Sequence, residues 1–301
     1  MRASSLLSTA PGIRRAAFGL TDWGLLTGIA LIWGSSFLLI AIGLEAFPPT
    51  LVALLRLTVG AATLALFPAS RRPVDRMDLP RIVLLGVLWM GLPMLLFPIA
   101  QQWIASSLAG MLNGSMPIFS AIIAALLLRK APGRYQIVGV SLGLVGIVAI
   151  SLPGIEGGSS VLRGTLLVLA ATISYAISVN IAVPLQQRYG AFPVILRAQL
   201  VAVILVTPFG LAHVGQVRFA WGPLAAVATL GVFGTGLAFL AMTALAGRVG
   251  AARASIAIYF LPVVAILLGV FLHGEHAALL SIAGTAVVLI GAFLASRAET
   301  P

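Results

Sequence analysis

The stretch Gly86–Leu95 reads GVLWMGLPML, and the stretch Gly231–Leu240 reads GVFGTGLAFL. They lie 145 residues apart, and the same displacement superposes Gly86 on Gly231, Gly91 on Gly236, Pro117 on Pro262, Gly139 on Gly284 and Gly146 on Gly291. Val87 falls on Val232 and Leu144 on Leu289 alongside. Glycine is abundant, at 32 residues, so single matches carry little weight. One ungapped shift running through three apolar segments is the signature of an internal duplication. Working outward from it, breaking the apolar runs at Pro, Gly and charge clusters gives ten candidate spans. They cover about 23–42, 49–68, 81–100, 104–128, 136–152, 164–184, 193–211, 222–245, 251–272 and 278–296. Each repeat then holds five helices, and an odd number makes the second cross the membrane in the opposite sense. The expected fold class is an all-α integral membrane protein: ten transmembrane helices as two inverted five-helix repeats. The expected organisation is a cytoplasmic tail over 1–22, a first repeat over 23–152 and a second, inverted repeat over 164–296. Spans one and two match spans six and seven only loosely.

Composition agrees with this division. Of 301 residues, 60% are hydrophobic and only 8% charged, where a soluble domain carries about 25% charged residues. Ten spans of ~20 residues use about 200 positions and leave no room for a soluble catalytic domain. No G-x-x-x-x-G-K-[ST] phosphate loop occurs, so no ATPase domain is expected in this chain. The net charge of +11 sits mainly in short turns, which makes it a topological signal and not a nucleic-acid one. With the amino terminus inside, the inner segments hold Arg2, Arg14, Arg15, Arg71, Arg72, Arg76, Arg81, Arg129, Lys130, Arg134, Arg188, Arg248 and Arg297. The outer segments hold Arg163 and Arg218. A miscounted helix would invert every later loop and destroy this asymmetry, so both termini are expected in the cytoplasm of a bacterial-type inner membrane. The absence of cysteine excludes disulfides and thiolate chemistry. The amino-terminal segment lacks an uninterrupted apolar core with a cleavage site, so Arg14-Arg15 reads as a cytoplasmic flank and not as a signal peptide.

All seven acids, Asp22, Glu45, Asp75, Asp78, Glu156, Glu275 and Glu299, fall at span ends, in loops or in tails. The three histidines, His213, His273 and His276, also fall on the expected outer side. Proton relays through membranes generally use embedded Asp, Glu or His, so a midplane carboxylate pump is disfavoured. An intramembrane hydrolase needs an interior acid/base pair or a metal, so no enzyme, metal site or cofactor is expected. His273, Glu275 and His276 read as surface groups at a solvated helix end.

Against this apolar background the embedded polar residues stand out. Arg56 lies seven residues into span two, ~10 Å deep at ~1.5 Å per residue. Its cost in lipid, about 2.5–3.5 kcal/mol on insertion scales, requires it to face the bundle or water. Arg56, Gly60 and Thr63 share a helical face. Arg56 either holds a substrate carboxylate or bonds helix-end carbonyls. Arg197, four residues beyond Pro193 at the inner edge, reads as snorkelling outward. Span four carries a stripe of Ser106, Gly110, Asn113 and Pro117, and span nine one of Ser255, Tyr259 and Pro262. The small residues fit helix packing; Asn113 and Tyr259 are the cavity candidates. Gly34, Gly114, Pro117 and Pro262 are candidate hinges. Trp33, Ser36, Trp89, Phe97 and Tyr175 complete the expected cavity lining, with Asn180 and Gln199 as buried amides. Trp23, Trp103 and Trp221 fall at span ends, where interfacial anchoring is expected.

Three features coincide: the 5+5 layout, the first-span sequence Trp33-Gly34-Ser35-Ser36-Phe37, and Pro262 followed by Gly274-Glu275. Together they resemble the drug/metabolite transporter superfamily, specifically its ten-helix EamA-type members. In that family W-G-x-(S/A)-F in the first helix, an arginine in the second and a proline-to-glutamate ending in the fourth and ninth recur. Here these are Trp33 to Phe37, Arg56, and Pro262 to Glu275. The first repeat departs from the pattern, with Lys130 opposite Glu275, which removes a symmetric glutamate pair. The resemblance implies a secondary transporter of small organic metabolites. The expected activity is export of amino acids or related compounds by alternating access, with a small-molecule solute and membrane lipid as its partners. An uptake carrier for nucleoside- or cofactor-like solutes, and a lipid-headgroup flippase partner or structural membrane subunit, are the other readings.

Overall fold

The computed structural model describes residues 19–128, 133–155, 158–249 and 254–295. Arg129, Lys130, Arg253, Arg297 and residues 1–18 of the tail lie outside the described residues, and the side chain of Ser255 is not described either. Within the described residues every regular element is helical.

α1 (Leu20–Leu44) and α2 (Pro49–Ala65) are joined by a short turn, and Pro49 opens α2 at the first helical position, where its missing N–H costs nothing. α3 (Arg76–Ala100) is interrupted by a π-helical turn, Gly86–Gly91. Expected span four is two helices, α4 (Ser106–Asn113) and α5 (Met116–Leu128). α6 (Arg134–Ile155), α7 (Ser159–Tyr189) and α8 (Ala191–Leu211) follow. α9 (Trp221–Val249) contains a second π-helical stretch, Leu230–Leu237. A 3-10 segment, Ser255–Phe260, leads into α10 (Leu261–His273), and α11 (Leu279–Ala295) ends the described chain. Among the described residues, six helices are long and apolar enough to cross a membrane: α1, α3, α6, α7, α8 and α9. Pro49–Ala65, Ala257–His273 and Leu279–Leu294 are shorter apolar helices.

Several helices overrun the expected spans, α7 most of all, whereas α2 ends at Ala65, three residues short. α7 continues through Gln186, Gln187 and Arg188 until Gly190, whose φ of +81° turns the chain. Hydropathy marks where the lipid ends, whereas a backbone-hydrogen-bonded helix continues until a cap or a positive φ stops it.

The two irregularities in each half fall at corresponding places. The π turn at Gly86 corresponds to the one beginning at Leu230, and α5 begins at Met116 as α10 begins at Leu261, 145 residues later. Packing has the same pattern: α2 lies on the π stretch of α9, and α8 lies on the π turn of α3. α1 packs on α10, and α7 packs on α5. α6 and α11 pair with each other away from the centre. A side chain at Gly146 would begin 2.7 Å from the Gly284 carbonyl oxygen, and one at Gly291 would begin 2.5 Å from that of Gly139. Only glycine allows that approach, and the two contacts are reciprocal. The outer faces of this pair are apolar and exposed, with Val145, Val148, Ile290 and Phe293 pointing away from the bundle.

At one end of the bundle, charges tie the helices together. Arg248 bonds Asp22 at 2.8 Å, and Arg188 and the Tyr189 hydroxyl bond Asp78 at 2.7 and 2.6 Å. Arg197 donates to the carbonyls of Pro193, Ser70 and Arg72 at 3.0, 3.2 and 2.8 Å. At the opposite end Gly274, at φ +67°, closes α10 and turns the next residue inward. Glu275 there reaches the start of α4, accepting from Ser106 N–H at 2.9 Å, Ser106 Oγ–H at 2.6 Å and Ser107 N–H at 2.8 Å.

Candidate functional site

A π turn inserts an extra residue into the helical ladder, and its carbonyls need partners from elsewhere in a medium without water. Side chains supply them across the bundle. The indole N–H of Trp33 on α1 donates to the Gly234 carbonyl at 2.9 Å, and the Gln199 amide on α8 donates to that of Thr235. In the other half, Ser174 on α7 donates to the Leu88 carbonyl at 2.5 Å. The Thr235 hydroxyl donates to the Leu230 carbonyl five residues back at 3.2 Å, and it accepts from Arg56 Nε at 2.9 Å.

Arg56 is thereby held beside α9 with only 3% of its surface exposed. Its helical face fits that position, because Gly60 sits against Gly231 and Thr235, and Thr63 against Gly236. Among the described residues no carboxylate lies within 4.0 Å of the guanidinium, and Thr235 Oγ1 is its hydrogen-bond acceptor. The remaining donors border a cavity.

That cavity lies where α1, α2, α3, α7 and α9 meet the break between α4 and α5 and the start of α10. Trp33, Ser36, Arg56, Trp89, Phe97, Asn113 and Tyr175, all singled out from the sequence, line it, together with Phe37, Ile40, Met116, Phe239, Met242, Ile258 and Leu261. Its rings form a connected belt. Phe239 is the hub, with centroids 4.9 Å from Trp33, 5.6 Å from Trp89 and 6.2 Å from Tyr175. Phe97 continues the belt to Tyr175 at 5.7 Å and to Phe37 at 5.5 Å. The edge-to-face contacts among these, Trp33 and Trp89 with Phe239 and Phe37 with Phe97, add about 0.5–1.5 kcal/mol per pair beyond buried area. The free volume is about 40 Å³, room for a few water molecules at roughly 10–15 Å³ each on the same measure. An amphipathic metabolite enters only if the helices around the cavity separate.

The structure places three expected residues elsewhere. Asn180 donates to the Ala176 carbonyl and to Ser120 Oγ, Gln199 serves the π stretch, and the Tyr259 hydroxyl donates to the Ala292 carbonyl on α11 at 2.8 Å. Each amide or hydroxyl meets a packing partner on a neighbouring helix, which helical spacing alone does not reveal. Of the expected hinges, Gly114 adjoins the break between α4 and α5, and Pro117 follows it in the first turn of α5. A side chain at Gly114 would begin 2.4 Å from Pro262 Cγ, and one at Gly34 would meet Val264. The two helix breaks therefore abut each other at the cavity. Phe239, Met116, Met242, Ile258 and Leu261 were not singled out; the one sequence signal was the superposition of Met116 on Leu261 beside the paired prolines.

Burial pushes the Glu275 carboxyl upward, but its hydrogen bonds from Ser106 and Ser107 outweigh this and leave it below the usual carboxylate value. It is a clamp between the two halves, not a cavity group. A second, open hollow of about 460 Å³ lies at the same end, bordered by residues 44–49, Gln101, Gln102, Gln216 and Arg218.

The chain matches the EamA-like transporter family over residues 23–152 and again over 162–297. It is 30% identical over 264 residues to the uncharacterized inner membrane transporter YedA of Escherichia coli (strain K12), spanning 84% of this chain and 83% of that protein. It is 28% identical over 281 residues to the probable terminal-alkyne amino-acid exporter of Streptantibioticus cattleyicolor, spanning 91% of this chain and 93% of that protein. A crystal structure at 18% identity shares the fold, with a TM-score of 0.63 over 92% of this chain and 95% of its own. With matches over both halves, and with relatives that are transporters and not enzymes, this chain belongs to the EamA-like transporter family, within the drug/metabolite transporter superfamily.

Proposed function

We propose that this transporter moves small organic carboxylates, amino acids and compounds related to them, outward across a bacterial inner membrane by alternating access. The observation that carries the reading is Arg56: a buried cation with one neutral partner, facing an aromatic cavity between the two halves. A guanidinium offers a carboxylate two parallel N–H donors, and in a water-poor site such a bond is worth ~1.5–3 kcal/mol. The ring belt supplies apolar contact for the rest of the solute. The small size of the cavity and the abutting helix breaks fit a state from which either end must open. In this reading the chain makes ten spans, two inverted five-helix repeats over 23–152 and 164–296, with both termini cytoplasmic. The relative named as an amino-acid exporter supports the solute class and direction.

The test is a counterflow screen in proteoliposomes with pooled labelled metabolites. Carboxylates with apolar or aromatic side chains are expected to exchange, and exclusive exchange of uncharged nucleosides would overturn the reading. For orientation, reporter fusions at Ala69 and Ala131 are expected to read cytoplasmic and fusions at Gly157 and Gly215 periplasmic; a swap at either inner site would overturn it.

A further inference from the structure

We infer that, within the proposed solute class, the cavity selects monoanionic relatives of amino acids over the zwitterionic amino acids themselves and carries them as bare anions, so that the membrane potential drives their export. This rests on the reading of Arg56 as the carboxylate site.

The inference follows from charge balance inside the cavity. Among the described residues lining it, Arg56 is the only ionised side chain, and no acid is present. A monoanion bound there neutralises the site completely. A zwitterion brings an ammonium group as well, which needs a desolvated counter-charge that the lining does not provide. The acceptors at hand are neutral. Asn113 Oδ1 and the lone pairs of Ser36 Oγ, whose hydrogen goes to the Ile32 carbonyl at 2.8 Å, can bond an ammonium but cannot cancel its charge. Aromatic faces can hold a cation, but any cation held on this ring belt shares one small cavity with the like charge of Arg56.

The same balance sets the energetics of the cycle. Arginine stays protonated at neutral pH. The empty cavity therefore carries one positive charge, and the cavity loaded with a monoanion carries none. Because the described lining offers no carboxylate or histidine to take up a compensating proton, each turnover moves one net negative charge. In a cell that is negative inside, that movement is favourable outward.

The experiment uses the full chain in liposomes with equal pH on both sides and a potassium/valinomycin potential, protein-free vesicles being subtracted. Three labelled probes share one ring: 3-phenyllactate (monoanion), phenylalanine (zwitterion) and phenylalaninamide (cation). Phenyllactate is expected to exchange at least about tenfold faster than phenylalanine. Its outside-to-inside ratio at equilibrium is expected to rise about fifty-fold for a potential of about 100 mV, negative inside. Phenylalanine moving as fast as phenyllactate, phenyllactate not moving, or a phenyllactate ratio indifferent to potential overturns the inference. If the amide moves as fast as both acids, the carboxylate reading of Arg56 itself fails, whereas equal transport of the two acids with exclusion of the amide leaves that reading standing.

Discussion

Two arginines embedded in corresponding helices of the two halves have opposite surroundings. Arg197, near the start of α8, donates to three carbonyls and binds α8 to the segment after α2. Arg56, on α2, has a threonine hydroxyl and borders the cavity. The difference is one of depth. At the edge of the bundle, the segment after α2 offers the Ser70 and Arg72 carbonyls and water is near, so a guanidinium is satisfied where it stands. Deeper, every carbonyl of a regular helix is already used. A guanidinium there needs a partner that the fold supplies only in part, and the remainder is available for a ligand.

The largest effects should separate these two roles. Arg56→Ala is expected to lower carboxylate exchange by about tenfold to a hundredfold while membrane insertion stays normal, the loss being that of a desolvated charge-assisted pair. Arg197→Ala is expected to leave KM within about threefold and to lower the unfolding free energy in detergent by about 1–3 kcal/mol, as several carbonyl bonds are lost. Exchange assays and denaturation of the purified variants check both; an Arg197→Ala with intact stability and lost exchange would erase the contrast.

Glu275 extends the comparison to a charge that the fold satisfies fully. Glu275→Gln is expected to cost about 1–2 kcal/mol of stability at neutral pH and to retain substantial exchange, because the clamp lies outside the cavity. Its lowered pKa fixes the sign of the pH effect. The stabilisation is complete above the ordinary carboxylate value, ~4.3, and is lost as pH falls from there through the lowered folded value. Wild-type stability should fall in that window, and that of Glu275→Gln should not follow it. A smaller effect is expected at the π stretch: Thr235→Val removes the Arg56 acceptor, and KM should change by roughly threefold to tenfold, the worth of one hydrogen bond of about 1 kcal/mol.

The cavity residues that could be read from the sequence were those that contrast with their surroundings. Arg56, Asn113 and Ser36 are polar within apolar runs, and Trp33, Trp89, Phe97 and Tyr175 are large rings far from the interfaces where aromatics gather. Phe239, the hub of the belt, is a ring within a span like Phe97, and its place at the centre follows from how α9 packs on α1, α3 and α7, which its sequence position does not mark. Asn180, Gln199 and Tyr259 contrast equally well but answer to neighbouring carbonyls and a hydroxyl, whose positions depend on helix packing. The paired glycines at 86 and 231 were visible as a repeat. That they mark π turns was not: the glycines allow the close approach of α8 and α2, and nothing in the local sequence marks the extra residue.

The most direct measurement is the affinity of Arg56→Lys for matched acid and amide forms of one transported solute, with insertion verified. Lysine keeps the charge and loses the two-pronged geometry. The account predicts that the acid weakens by about tenfold or more while its amide changes little. Equal weakening of acid and amide would contradict it and make Arg56 a structural residue like Arg197.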